Sequence, residues 1–293
     1  MEYFLQISIA GLLVGGVYAL IAIGFVLINK ATGILNMAQG GMVALGAFVC
    51  FGFSVQLGLP FLLALVLTLL VSFFLGIMLA KIFFRPMIGQ PIFASLMMTL
   101  ALYMILEGLT ISLWGADLRR YPGVLPSKPL IVRDIVIPYD MLAAFGVAVL
   151  LLVVFILFFK FSHFGARIRA VADDQAAAQA AGIRVRRIFE FSWGLGNTIA
   201  ALGGIALGMI TMLSPAMSYF GMKVLPVVIL GGLESITGAI IGGLIIGLLE
   251  GLAGGYLEMQ MTGTQEVAPF VILILFLLLK PHGLFGLKRI ERI

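Results

Sequence analysis

Apolar residues in this chain neither alternate nor trace one helical stripe; they come in long, unbroken runs. FLLALVLTLLVSFFLGIML at 61–79 carries no charge at all. A helix needs about 20 such residues to cross a hydrocarbon core about 30 Å thick. Runs of that order predict membrane spans at 6–29, 37–56, 61–84, 92–114, 141–159, 189–213, 238–257 and 267–280, with a further broken element at 222–237. A membrane barrel would show segments of about ten residues alternating in polarity, and these runs do not alternate. The expected fold is all-α: a polytopic helical membrane protein of about eight transmembrane helices, one or two of them broken, with 1–293 as a single domain.

Two interruptions stand out. NKATGILNMAQGG (29–41) sets Asn36, Gln39 and Gly40 at the start of a span, and LPVVILGGLESITGAI (225–240) breaks an apolar run with Pro226, Gly231, Gly232, Glu234 and Gly238. Non-helical backbone survives at membrane depth only where protein buries it or it lines a cavity, and broken helices present polar groups to a solute in many transporters. Asn36, Gln39, Gly40, Gly231, Gly232 and Glu234 are therefore expected along a translocation pathway. Glu107 and Glu250 lie within spans, where a carboxylate is costly and marks function; Glu107 joins the pathway set. No basic partner at similar depth is evident for either carboxylate, so each is expected to be a neutral, hydrogen-bonded group. GAIIGGLIIGLLEGLAGG (238–255) repeats small residues four apart, spacing that lets helix backbones approach closely within a subunit or at a dimer face.

Composition agrees with burial in lipid: 62% of residues are hydrophobic and 11% charged, against about 25% charged in soluble domains. The N-terminal MEYFLQISIAGLLVG has neither a basic start nor a small-residue cleavage site and is expected to open the first span. Charge then orients the spans. Lys81 and Arg85, the island 160–188 and the tail cations Lys288, Arg289 and Arg292 mark the cytoplasmic side. The loop 115–140 falls outside with mixed charge: Arg119, Arg120, Lys128 and Arg133 against Asp117, Asp134 and Asp140. Trp114, Tyr121 and Tyr139 flank it as an aromatic belt. The N-terminus then lies outside, and the C-terminus inside only if 222–237 is a broken crossing. The net charge of +5 follows this distribution and does not signal nucleic acid.

Other chemistry is sparse. Cys50 is the single cysteine, and His163 and His282 are far apart, so no internal disulfide or clustered metal site is expected. No GxxxxGK[ST] loop occurs, so this chain itself holds no ATP in a P-loop.

The island stands apart. It carries Lys160, Arg167, Arg169, Arg184, Arg186 and Arg187 around an alanine-rich centre. Asp173 or Asp174 suits a helix N-cap and Gly182 suits the position after a helix end. A helix of about eight residues is expected between them, about 12 Å long and marginal alone, with a low-profile alanine face fit to dock in a groove of another protein.

GARIRAVADDQAAAQAAGI (165–183) resembles the cytoplasmic coupling loop of ABC importer permeases for branched-chain amino acids. GGVYALIAIGFVLINKATGILNMAQGGMVALGAF (15–48), ILGGLESITGAIIGGLIIGLLEGL (229–252) and KPHGLFG (280–286) resemble other segments of that family in the same order. The resemblance is to the shorter of two permease subunits. It implies a multi-pass protein of the bacterial inner membrane, moving a branched-chain amino acid or a similar small amide or acid by alternating access. It further implies a second homologous permease, an external solute-binding protein and two cytoplasmic ATPase subunits that carry ATP and Mg. Contact with the ATPases is expected through Asp173, Asp174, Gln175, Ala177, Ala178, Ala181, Gly182 and Arg187. An ion-coupled secondary transporter using Glu107 or Glu250, and a passive channel for a small neutral solute such as urea, are the competing functions.

Overall fold

The computed structural model describes residues 2–87, 90–121, 129–132, 135–281 and 283–286. Lys128, Arg133, Asp134, His282, Lys288, Arg289 and Arg292 lie outside these residues.

In chain order the helices are α1 (Glu2–Thr32), α2 (Gln39–Phe51), α3 (Phe61–Leu79), α4 (Ile92–Trp114), α5 (Tyr139–Phe161), α6 (His163–Asp173), α7 (Gln175–Ala180), α8 (Val185–Ile210), α9 (Phe220–Gly231), α10 (Ile236–Tyr256) and α11 (Thr264–Leu279). A wide turn extends α2 to Gln56, and a second wide turn followed by a tight one carries α3 on to Met87. Seven of these, α1 to α5, α8 and α10, are long and apolar enough to span a membrane. The run expected as an eighth span, 267–280, belongs to the shorter α11. Its sixteen residues cover about 24 Å. Part of the outer loop forms a small antiparallel hairpin, β1 (Leu130–Val132) with β2 (Ile135–Ile137).

The centre of the bundle is α1, most of which is buried. The glycine series of α10 is what lets a second helix reach it. Gly243, Gly247 and Gly251 stand against Ala19, Gly15 and Gly11 in turn, with backbone against backbone, and Gly255 receives the side chain of Ile7. Gly238 and Gly242 press instead on Gly231 and Val227 of α9. The repeat therefore serves packing within the subunit. This order also makes α1 and α10 antiparallel.

Lys30, Lys81, Arg85 and the cations of α6 and its surroundings gather at one end of the bundle, which the positive-inside rule makes cytoplasmic. α8 leaves that end and closes at Ile210 on the outer side. There Arg119 and Leu213 exchange backbone hydrogen bonds of 2.9 and 2.8 Å. The chain then turns back through 211–219, and α9 runs inward until Lys30 Nζ donates to the Glu234 carbonyl, 3.3 Å. The broken crossing is thus real, but its break lies at 211–219. The 232–235 stretch is an ordinary hairpin turn at the cytoplasmic end, with Gly232 at φ +103°. Pro226 sits inside α9 without ending it.

One local expectation changes. Tyr121 is turned inward, its hydroxyl donating to the Ala47 carbonyl at 2.7 Å, and so leaves the aromatic belt. At the outer end Glu258 caps α11, accepting from the backbone N–H of Gln265 at 2.8 Å and of Gly263 at 2.6 Å. Those donors favour the charged form and hold the carboxyl below its usual range.

Any side chain at Gly247 would collide with the backbone of Gly15. Gly247→Val is expected to cost roughly 1–3 kcal/mol by overpacking, read as a lower thermal midpoint in detergent. Gly146→Ala on α5, where nothing approaches the missing side chain, should leave the midpoint unchanged or raise it.

Candidate functional site

Between α1 and α2 the chain is not helical. Gly33, at φ +70°, reverses its direction, and residues 33–38 climb back along α1 until Gln39 Nε2 donates to the Ile21 carbonyl, 3.3 Å. Ile21 is eleven residues before the end of α1, so the climb covers roughly 16 Å and α2 begins inside the membrane. The polar groups of this turn are met by protein. Asn36 Oδ1 accepts from the Ala38 N–H at 3.1 Å, and Asn36 Nδ2 donates to Gln39 Oε1 at 3.1 Å. Thr99 Oγ1 on α4 donates to the Leu35 carbonyl at 3.2 Å. Asn36 and Gln39 are fully buried, and their side chains are engaged in shaping the turn.

Gly40 packs against Ser218 and Gly221 with no room for a side chain on either glycine. The two interrupted elements therefore meet at mid-membrane, backbone to backbone. Ser218 is the polar group at this junction. Its hydroxyl donates to Glu107 Oε1 at 3.0 Å and lies 3.2 Å from the Tyr103 hydroxyl. Glu107 is seven residues from the outer end of α4, roughly 10 Å along its axis. The carboxylate is only half-buried, and its helical neighbours Met104, Ile105 and Gly108 are exposed.

On the opposite side of the same element Lys223 forms a buried ion pair with Glu250 of α10, Nζ to Oε1 3.0 Å. Lys223 is 6% exposed and Glu250 3%. The expectation that Glu250 lacks a basic partner is thereby corrected. The depth of Lys223 follows from α9 beginning inside the membrane, which the broken element expected at 222–237 does not by itself establish. The signal was a single lysine within the apolar stretch SYFGMKVLPVVIL. Tyr103 and Ser218 left no such mark, because hydroxyls are common in membrane helices. Gly231, Gly232 and Glu234 do not join the mid-membrane group. They lie at the cytoplasmic turn, where Glu234 is exposed.

The basic island is more structured than expected. α6 is capped by Ser162, whose hydroxyl accepts from the Gly165 N–H at 2.9 Å, and ends at Asp173. Asp174 caps α7 by accepting from the N–H groups of Ala176 and Ala177 at 2.8 and 3.0 Å. Gly182, at φ +81°, ends it, and the Ile183 N–H returns to the Ala178 carbonyl at 3.0 Å. The helix is thus six residues rather than eight, because Asp174 is its N-cap and Ala181 already leaves the helix before Gly182. Asp173, Asp174, Gln175, Ala177, Ala181, Gly182 and Arg187 are exposed. Ala178, expected on the outward face, is 4% exposed and packs onto the bundle. Gln175 borders a cavity of about 140 Å³ whose other walls include Thr32–Leu35 and Ser95. Among the described residues no three His, Cys, Asp or Glu side chains are grouped to hold a metal.

A bundle of apolar helices with polar groups gathered at mid-depth on two interrupted elements defines a membrane permease. The chain belongs to the family described as branched-chain amino acid transport system, permease component, whose sequence model matches residues 7–279. It is similar to the high-affinity branched-chain amino acid transport system permease protein BraD of Pseudomonas aeruginosa, 27% identical across 99% of this chain and 98% of that one. A probable branched-chain amino acid transport permease protein, LivH of Methanocaldococcus jannaschii, is 28% identical across 94% and 90%. The solved structure of PsaBC from Streptococcus pneumoniae in complex with Fab aligns over 95% of this chain and 91% of its own, at 18% identity and TM-score 0.48. The chain is the membrane-spanning permease subunit of an ABC importer, a multi-pass inner-membrane protein and one component of a larger transport complex.

Lys223→Met alone would leave Glu250 buried and uncompensated, at an expected cost of about 3–5 kcal/mol. The apolar double variant Lys223→Met/Glu250→Met should recover most of that loss. Thermal unfolding of the purified transporter checks both.

Proposed function

We propose that the face of α4 carrying Glu107 lines the solute pathway and is completed by a second, homologous permease subunit. The supporting observation is the half-buried Glu107 carboxylate at membrane depth. A charged group facing hydrocarbon is too costly to keep, so protein or pathway water covers this face. Asn36, Gln39 and Gly40 act behind it by fixing the turn from which α2 starts. Gly231, Gly232 and Glu234 act at the cytoplasmic end, holding the hairpin that returns the chain to α10.

The solute is a branched-chain amino acid or a close small analogue. Glu107 supplies a carboxylate for its ammonium group, and the hydroxyls of Ser218 and Tyr103 offer hydrogen bonds beside it. Delivery falls to an extracytoplasmic solute-binding protein. Two cytoplasmic ATPase subunits, which bind ATP and Mg, engage the exposed face of α7 through Asp173, Asp174, Gln175, Ala177, Ala181, Gly182 and Arg187. α7 is fastened to the bundle at Ala178 and faces the segment 32–35 across the small cavity beside Gln175. Its displacement on ATP binding would reach the Asn36 turn first.

Glu107→Gln is expected to lower ATP-driven leucine uptake by about tenfold or more, since hydrogen bonds to a charged group contribute roughly 1.5–3 kcal/mol, while assembly is kept. Unchanged uptake in reconstituted vesicles removes the pathway role. Ala177→Trp, on the exposed side of α7, should leave this chain folded and abolish co-purification of the ATPases. Retained binding with full ATP-coupled uptake would defeat the docking assignment.

A further inference from the structure

We infer that the cleft between the cytoplasmic ends of α3 and α8 binds the phosphate of an anionic phospholipid of the inner leaflet. The extension of α3 brings Phe84 and Arg85 to this cleft, and α8 brings Arg186, Glu190 and Trp193. Arg85 and Arg186 are exposed at its mouth, and neither makes a salt bridge among the described residues. Glu190 faces Lys81 instead, 3.8 Å from its Nζ. Three cations, Lys81, Arg85 and Arg186, thus meet one carboxylate, a local excess of three minus one, +2.

Trp193 is fully buried at the floor of the cleft, stacked on Phe84 with ring centroids 4.0 Å apart. Its Nε1 has no hydrogen-bond partner among the described residues, and a buried donor left unpaired is costly. The cleft encloses only about 10 Å³, room for a single oxygen-sized group. A whole solute cannot enter. One oxygen of a phosphate can, while the others stay at the mouth between two guanidinium groups whose planar forks suit them. Water at the floor would satisfy Trp193 and leave both arginines without an anion.

The surface beside the cleft selects a lipid. Leu70, Phe74 and Met78 of α3 are exposed and four apart, one apolar strip along the helix. The strip ends at exposed Ile82, between Lys81 and Arg85. α3 packs on α2 and α8, which leaves the strip to the membrane. Acyl chains lie along it, and the phosphate reaches the cleft where apolar surface gives way to cations. The cytoplasmic leaflet supplies the anionic headgroups that basic pockets between helices bind. A headgroup held there ties the end of α3 to the first turn of α8, directly after α7. The site is independent of which solute is carried.

The test strips the assembled transporter of lipid in neutral detergent and titrates it with phosphatidylglycerol, phosphatidylcholine or inorganic phosphate, reading bound molecules by native mass spectrometry. Arg85→Gln/Arg186→Gln should weaken phosphatidylglycerol binding about tenfold or more. Lys160→Gln/Arg167→Gln, which removes the same charge from exposed positions outside the cleft, should leave it unchanged. Trp193→Phe keeps a ring against Phe84 and removes the N–H, and should weaken binding about fivefold or more. Equal binding by the two double variants, or phosphatidylcholine bound as tightly as phosphatidylglycerol, overturns the site. Unchanged binding in Trp193→Phe overturns the contact at the floor. Displacement of the lipid by inorganic phosphate at equal concentration overturns the lipid assignment in favour of a soluble anion. Loss of the ATPases from Arg85→Gln/Arg186→Gln makes the arginines a protein contact and overturns it as well.

Discussion

Hydrocarbon offers no hydrogen bonds, so every peptide group within the membrane must find its partner in the protein. That constraint decides where this chain may stop being helical. The stretch 33–38 leaves the helix only because Asn36, Gln39 and Thr99 supply what the backbone has lost, and because α1 and α4 wall it in. The break at 211–219 is likewise covered, pairing with Arg119 at the outer end and packing on α2 at the inner. Each interruption is thus placed where other elements already shield it, and the two coincide at one depth.

Glycine settles how closely those shields approach. α1 and α10 touch through backbone along three consecutive contacts, which brings α10 near enough for Glu250 to meet Lys223 on α9. α9 is consequently held from two sides by polar contacts of different character. One is a buried charge pair facing the core. The other is a hydroxyl bridge facing the proposed pathway.

The long runs made the span positions legible, and the cations gave the orientation. The cap at Asp174 and the stop at Gly182 were readable because both depend on local backbone chemistry. What could not be read was depth. Pro226 and the Gly231–Gly232 pair looked like the interruption, yet the true break precedes them at Ser214–Pro215, where the sequence carries weaker signals. Lys223 was overlooked for the same reason, since a lysine counts as interfacial until its helix is known to begin inside the membrane. Ala178 pointed inward against expectation, because a six-residue helix must spend part of its small face on its own attachment.

The meeting of Gly40 with Gly221 has a mechanical consequence. Packed helices ordinarily resist sliding because ridges of side chains sit in the grooves of their neighbours. Here the two interrupted elements face each other without side chains at the point of contact. One can shift along the other without a rotamer changing or a ridge being lifted from its groove. The junction behaves as a plain bearing at the middle of the membrane, its travel set by the two polar contacts that hold α9 and not by interlocked side chains.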